Sequence, residues 1–149
     1  MFKSFFEKYS KPEPVPLTVD DFRLALTVLL VRVARADRDY TEDEKQHISE
    51  LISSCFEITV NEANDLRLEA EEIETRTQDS VQFTRVIKQK IPFDQREEIL
   101  EILWEIVLSD GQRSYGEEGF LRLITNLLGV TDRDSALARQ RAMERMGKN

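Results

Sequence analysis

The stretch Leu24–Glu44, LALTVLLVRVARADRDYTEDE, decides the fold of this chain. Its first half is almost continuously apolar, which is typical of a helix buried on all sides. The apolar run ends at Ala36-Asp37 and is followed by an acidic turn. Thr41–Glu44 then has the pattern of a capping box, in which a Thr and a Glu side chain satisfy backbone N–H groups at the start of a helix. We therefore predict a buried helix, an acidic turn and a second helix.

The same arrangement recurs, altered, at Ile102–Glu117, ILWEIVLSDGQRSYGE. In each copy an Asp follows the apolar helix and a Glu comes seven residues later, and the two copies are 73 residues apart. This repeat predicts an all-α, internally duplicated domain with halves at about 20–75 and 94–146. We expect the halves to pack about a pseudo-twofold axis, which would place the two acidic turns in related positions.

Caps and helical periodicity predict a bundle of seven or eight helices over residues 17–149, and no stretch alternates as a strand would. The central helices, Leu24–Val33 and Ile99–Leu108, are predicted to pack together. The first of them is expected to start at Thr18 or Asp20. The other predicted starts are capping positions at Thr41, Thr59, Asp79, Asp94, Ser114 and Thr131.

These patterns also predict which of several individual side chains face solvent and which face the core. Arg32 and its neighbours Arg23 and Arg35 are expected to reach outward from the central helix, and Cys55 fits an inward stripe. His47 is expected on an exposed helix face without a partner. The carboxylates of residues 65–74 are interpreted first as a solvated face and second as a docking surface; they are Asp65, Glu69, Glu71, Glu72 and Glu74.

Composition limits the classes of function. The net charge of -8 argues against nucleic-acid binding, which needs a basic face, and makes an anionic membrane a poor partner for the whole molecule. The single cysteine excludes an internal disulfide and a cysteine-rich zinc site, so we expect a cytoplasmic protein. The longest apolar block is far shorter than the ~20 residues that cross a bilayer, and the N-terminus lacks the pattern of a secretory signal.

The first 16 residues are predicted to be a separate arm. Aromatic residues at helical spacing form one stripe within residues 1–9, and Pro12, Pro14 and Pro16 then favour an extended spacer. One interpretation is peripheral contact of residues 1–9 with a membrane surface or a groove on an unknown protein partner. The other is a helix that folds back onto the domain.

The two turn motifs resemble those of the TerB-like proteins, the tellurite-resistance B group of bacteria. The pattern is ARAD-x-x-x-[ST]-x-x-E, repeated as SDG-x-x-[ST]-x-x-E, and the similarity runs from about Phe22 to Ala142. The resemblance implies an all-helical, duplicated cytoplasmic domain, an association with resistance to tellurite and other chemical stress, and no established enzymatic reaction. It also implies a metal site built from the acidic residues of both turns, namely Asp37, Glu44, Asp110 and Glu117.

The acidic residues have two interpretations from their positions alone. Glu44 and Glu117 occupy the third position of capping boxes, which explains them without a metal. Asp37 and Asp110 instead follow helix C-termini, where the dipole disfavours a carboxylate unless an arginine or a bound ion lies nearby. Asp39 adds a further oxygen ligand, so the first turn is expected to bind Ca²⁺, Mg²⁺ or Mn²⁺ better than the second.

No activated nucleophile can be assembled from this sequence, so we do not expect an enzyme. Two functions remain. The first is an acidic helical module that binds a divalent ion or a stress-related partner. The second is a protein-interaction adaptor that docks through its N-terminal arm and whose acidic turns are only caps.

Overall fold

The fold is entirely helical in the part of the chain that the computed structural model describes, which is residues 21–36, 40–109 and 115–147, with the backbone alone at 115–117. No strand occurs within these ranges, as the sequence predicts. A 3₁₀ turn at Phe93–Gln95 precedes the fifth of the seven α-helices found within these ranges. The helices are α1 (Phe22–Arg35), α2 (Glu42–Phe56), α3 (Val60–Arg76), α4 (Val81–Lys90), α5 (Glu97–Ser109), α6 (Tyr115–Leu127) and α7 (Asp132–Arg145).

Helix α1 is the centre of the bundle. Twelve of its fourteen residues are buried, so it must be covered on every side. It packs against α2, α3, α4, α5 and α6, and its contact with α5 confirms the predicted pairing of the two apolar helices. Helix α1 packs most extensively against α3, and α5 packs most extensively against α7. In both predicted halves, the apolar first helix therefore packs mainly against the third.

Two of the predicted capping boxes are confirmed. At the start of α2, Thr41 Oγ1 accepts from the Glu44 N–H at 3.1 Å and Glu44 Oε1 accepts from the Thr41 N–H at 3.0 Å. Thr59 and Glu62 repeat this pair of hydrogen bonds at the start of α3, again at 3.1 and 3.0 Å. Thr131 caps α7 as predicted, with its side chain accepting from the third residue of the helix.

Other predicted starts are wrong or lie outside the described residues. The Asp79 carboxylate accepts from the Val81 N–H in a tight turn, and α4 begins without a side-chain cap. Asp94 lies within the 3₁₀ turn, so α5 begins three residues later than predicted. Thr18, Asp20 and Ser114 fall outside the described ranges; α1 begins at Phe22, after an N-cap at Asp21.

The links from α2 to α3 and from α6 to α7 have the same backbone structure, 72 residues apart. Each contains a residue in the left-handed region, Glu57 at φ 55° and Gly129 at φ 75°. The next residue, Ile58 or Val130, donates its N–H to the carbonyl five residues earlier, at 3.2 and 3.0 Å. A threonine that caps the following helix comes next in both links. Matching links of this kind are what an internal duplication predicts.

The described helices include none that is both long and apolar enough to cross a lipid bilayer. The predicted central positions Leu29 and Leu103 are fully buried, and Cys55 belongs to the core as expected. Val81, in the first turn of α4, is 37% exposed.

Candidate functional site

The predicted metal site lies largely outside the described residues. Asp37, Asp39 and Asp110 belong to the two segments that the structure does not describe, and Glu117 is described only as backbone in α6. Glu44 alone among the five predicted ligands has a described side chain. Within the described ranges no group of three or more His, Cys, Asp or Glu side chains is arranged to hold a metal ion. The metal site therefore stays a prediction.

Glu44 acts as a capping residue, and its side chain is buried. The residue is 8% exposed, and Oε1 accepts from the Thr41 N–H and lies 3.4 Å from Thr41 Oγ1. The second carboxylate oxygen, Oε2, is also buried. The carboxylate is therefore held in one orientation at the start of α2, five residues beyond the undescribed segment 37–39.

Tyr40 fixes the C-terminal side of this segment. Its ring lies close to two cations, with its centroid 5.0 Å from the Arg35 guanidinium and 5.2 Å from the Lys45 ammonium. Its hydroxyl donates to Glu71 Oε2 at 2.6 Å, which ties the start of α2 to α3. Burial, together with the hydrogen bond and charge of Glu71, raises the pKa of Tyr40, so the phenol keeps its proton at neutral pH.

The N-terminal side of the same segment is fixed by the last turn of α1. Arg35 Nη1 donates to Glu74 Oε1 at 2.9 Å, and the Ala36 N–H closes the helix on the Val33 carbonyl at 3.2 Å. Both ends of the three-residue segment 37–39 are thus attached to α3.

Arg32 is the main residue that the sequence patterns misplaced. It was predicted to reach into solvent, but it is 9% exposed and donates to the Glu74 carboxylate at 3.1 Å. The same guanidinium donates to Ser80 Oγ at 3.0 Å and to the carbonyls of Glu74 and Gln78 at 3.0 and 3.3 Å, and also to the Thr77 carbonyl. It therefore donates hydrogen bonds to backbone carbonyls at the C-terminal end of α3, which have no partners within the helix.

The prediction that the acidic residues of α3 form a solvated face is therefore wrong for two of them. Glu74 is paired with Arg32 and Arg35, and Glu71 accepts from Arg67 Nη1 at 2.6 Å as well as from Tyr40. Arg67 also donates to Ser49 Oγ at 2.9 Å, joining α3 to α2. Near the first turn, these two carboxylates of α3 are already neutralised by arginines.

The second half carries a comparable ion-pair network with the charges exchanged. Glu101 of α5 is 6% exposed and accepts from Arg141 Nε and Arg145 Nη1 of α7, both at 2.8 Å. Arg141 also pairs with Glu97 at 3.0 Å, and Arg145 with Glu105 at 3.2 Å. Burial opposes the charge on Arg141, but the hydrogen bonds and charges of Glu101 and Glu97 outweigh it and raise the pKa of Arg141.

His47 is half-buried, not on an exposed helix face as predicted. Its Nε2 lies 3.7 Å from Glu105 Oε2 on α5, which is beyond hydrogen-bond distance. The nearby Cys55 is a free thiol buried in the core. Burial, with a smaller contribution from the charge of Glu105, raises the pKa of the Cys55 thiol, so it is not a reactive nucleophile.

The family comparison agrees with the turn motifs. The model of the family described as "Tellurite resistance protein TerB" matches residues 23–140, most of the chain. The chain belongs to the TerB family. This confirms the resemblance drawn from the repeated Asp-and-Glu turns and links the chain to a family associated with tellurite resistance. No similar chain was found among the curated proteins or among the solved structures.

Proposed function

We propose that this TerB-family chain acts by binding rather than by catalysis, as an acidic helical module that takes up a hard divalent cation at its first acidic turn. The cation would be Ca²⁺, Mg²⁺ or Mn²⁺, held by Asp37, Asp39 and Glu44, and the binding would serve resistance to tellurite or related chemical stress. The observation that supports this site is the fixed position of both ends of the 37–39 segment, at Arg35 and Tyr40.

Electrostatics favour a cation at this position. The segment follows the C-terminus of α1, where the unpaired carbonyls carry partial negative charge. Its sequence places two aspartates, Asp37 and Asp39, against one arginine, Arg38, and the buried Glu44 carboxylate lies at the start of the next helix. Arg35, the nearest described cation before the segment, is already paired with Glu74. A divalent ion would offset the remaining negative charge and bring the hard oxygen ligands together.

The second turn is proposed as a weaker site of the same kind. Asp110 and Glu117 correspond to Asp37 and Glu44, but no third acidic residue lies between them in the sequence. Affinity for Ca²⁺ and similar ions rises with the number of carboxylate ligands. We therefore expect ions to occupy the first turn at lower concentration than the second.

A thermal-denaturation experiment separates a cation ligand from a cap at Glu44. Gln is also a capping-box residue, so Glu44→Gln removes the charge while keeping an acceptor for the Thr41 N–H. Wild-type protein should melt at a higher temperature in millimolar Mn²⁺, Ca²⁺ or Mg²⁺, because an ion that binds the folded state stabilises it. Glu44→Gln and Asp37→Asn should lose this increase.

The second capping box supplies the matched control. Glu62→Gln makes the same substitution at the box of Thr59, which opens α3, and it should keep the full cation-dependent increase. A wild-type melting temperature that no ion changes, or an increase that survives in both Asp37→Asn and Glu44→Gln, would contradict the proposal. In that case the Glu44 box is a cap and nothing more.

A further inference from the structure

An exposed aromatic side chain lies in the 3₁₀ turn between α4 and α5. Phe93 is 59% exposed, although the Arg96 guanidinium lies over one face of its ring, 5.5 Å from the centroid. Arg96 is itself fixed by three backbone carbonyls, those of Lys88, Ile91 and Leu128, at 3.4, 3.2 and 3.1 Å. The ring is therefore held in place on its Arg96 side, which lowers the entropy cost of a contact with another molecule on its exposed side.

The exposed ring lies beside a basic surface. Residues 80–93, which form α4 and the start of the turn, contain no acidic residue. Arg85, Lys88 and Lys90 are exposed there, and none of them forms an ion pair or a side-chain hydrogen bond with any described residue. The exposed Asp94 follows, so the surface keeps an excess of positive charge. We call Arg85, Lys88, Lys90 and Phe93 the anchor surface.

A pocket of about 240 Å³ lies between α1 and α3, at the link that precedes α3. Its lining combines two apolar side chains with three carboxylates and one guanidinium. A cavity of about 150 Å³ is enough to hold benzene, so this volume is sufficient for a phenyl side chain. The lining residues are Arg23 of α1, Ile58 of the link, and Glu62, Asp65, Leu66 and Glu69 of α3. We call these six residues the acidic pocket.

The negative charge of the acidic pocket is not neutralised within the described residues. Three carboxylates lie near one guanidinium, and Arg23 Nε is already 3.7 Å from the Asp21 carboxylate. Glu62 also caps α3, whereas Asp65 and Glu69 accept no hydrogen bond from any described residue. The acidic pocket is therefore suited to an occupant that combines an apolar group with positive charge.

The anchor surface has this combination, and no ion pair joins it to the acidic pocket within the described part of the chain. We propose that the two surfaces join copies of this chain, with Phe93 of one copy in the acidic pocket of the next. Lys88 and Lys90 would then lie against the pocket carboxylates. Because each copy carries one anchor surface and one acidic pocket, the contact is heterologous and builds rings or open chains.

Sedimentation velocity of the full-length protein tests this contact. EDTA is present, so that cation binding at the first acidic turn plays no part, and about 0.1 M NaCl limits the repulsion between net charges. The weight-average sedimentation coefficient of the wild type should rise between about 10 μM and 1 mM protein. Phe93→Ala removes the anchor and Asp65→Lys places a cation in the pocket, so each should weaken association at least about tenfold.

A mixture of these two variants distinguishes a heterologous contact from other modes of association. Phe93→Ala keeps an intact acidic pocket, and Asp65→Lys keeps an intact anchor surface. An equimolar mixture should therefore form a one-to-one complex that neither variant forms alone, and its formation also shows that both variants fold. The controls lie on α7: Leu137→Ala truncates a side chain that is 41% exposed, and Glu144→Lys makes the same charge change as Asp65→Lys. Both should associate as the wild type does.

Three results would overturn this proposal. They are a wild type that stays monomeric at about 1 mM, association that is unchanged in Phe93→Ala, and a mixture that sediments only as monomers. Co-sedimentation of a monomeric wild type with phosphatidylserine vesicles, lost in Phe93→Ala, would overturn it as well and assign the anchor surface to a membrane.

Discussion

Arg32 Nε of α1 donates to Glu74 Oε2 of α3 at 3.1 Å, and both side chains are almost excluded from solvent. The same Glu74 carboxylate also binds Arg35, the last residue of α1. One carboxylate therefore holds the end of the central helix against α3, immediately before the acidic turn. The packing of the core and the position of the candidate cation site depend on the same ion pairs.

The first prediction concerns this buried pair. Arg32→Met should lower the free energy of unfolding by about 1.5–3 kcal/mol, because it removes one of the two arginines that bind the Glu74 carboxylate and the donors to carbonyls at and just after the C-terminal end of α3. Urea denaturation followed by circular dichroism measures the loss. Arg76→Met is the control: Arg76 is 67% exposed near the end of α3, and its removal should change stability by less than about 0.5 kcal/mol. Equal effects of the two substitutions would show that Arg32 is not a structural ion pair.

The second prediction concerns the core. Leu29→Ala in α1 and Leu103→Ala in α5 should each cost about 2–5 kcal/mol, because both leucines are fully buried and their removal leaves a cavity. Leu68→Ala removes the same atoms from a side chain that is 54% exposed on α3, and it should cost less than about 1 kcal/mol. Urea denaturation of the three variants tests this order. A loss below about 1 kcal/mol at both buried positions would contradict the central placement of α1 and α5.

The third prediction is a pH dependence. Burial, followed by the charges of Asp21 and Glu72, raises the pKa of Glu69 in the folded protein. The ionised Glu69 carboxylate therefore destabilises the folded state at pH values above this raised pKa. The penalty disappears at pH values below the pKa that Glu69 has in the unfolded chain. Glu69→Gln should raise the melting temperature at pH 7, by an amount equivalent to roughly a few tenths of a kcal/mol, and the increase should vanish near pH 3.

Glu62 is the opposite case and serves as its control. The hydrogen bonds of Thr59 lower the pKa of Glu62 in the folded protein. The ionised form of Glu62 therefore stabilises the folded state at pH values above the pKa of the unfolded chain, and this contribution is lost as the pH falls through the lower pKa of the folded state. Glu62→Gln should therefore lower the melting temperature slightly at pH 7 and have no effect near pH 3. Effects of the same sign for Glu69→Gln and Glu62→Gln at pH 7 would be inconsistent with these shifts.

The fourth prediction tests the adaptor function, in which residues 1–16 dock elsewhere. Deleting these residues should leave the melting temperature nearly unchanged while abolishing recruitment to a membrane fraction or a protein partner, measured by co-sedimentation and pull-down. The physical reason is the run of alternate prolines, which predicts an extended spacer between the aromatic stripe and the domain. A large fall in melting temperature would instead mean that the stripe packs on the domain.

Local signals in the sequence were the most successful predictors. The boxes at Thr41 and Thr59 and the cap at Thr131 depend on residues within one helical turn, and all three are formed. The same type of signal failed at Asp94, because the backbone there turns as a 3₁₀ helix after Pro92 and the α-helix begins later. A capping pattern therefore marks a helix start only where the preceding chain is free to be extended.

Contacts between distant residues account for most of the errors. Arg32 was expected to reach outward because an arginine on an apolar helix usually extends to solvent, yet its partners are 42 to 48 residues further along the chain. His47 was likewise expected on an exposed face, yet it lies beside Glu105 of another helix. Nothing in the local pattern of either residue identifies these neighbours.

Cation binding at the first turn is tested most directly by isothermal titration calorimetry. Ca²⁺, Mg²⁺ and Mn²⁺ are titrated into the wild type, Asp37→Asn and Asp110→Asn, and amide chemical shifts locate any bound ion. We predict measurable heat for at least one ion in the wild type, loss of the tighter event in Asp37→Asn, and its retention in Asp110→Asn, because the first turn carries more carboxylates. Neither heat nor shift changes at millimolar ion would contradict the cation-binding function, and a greater loss in Asp110→Asn would assign the site to the second turn.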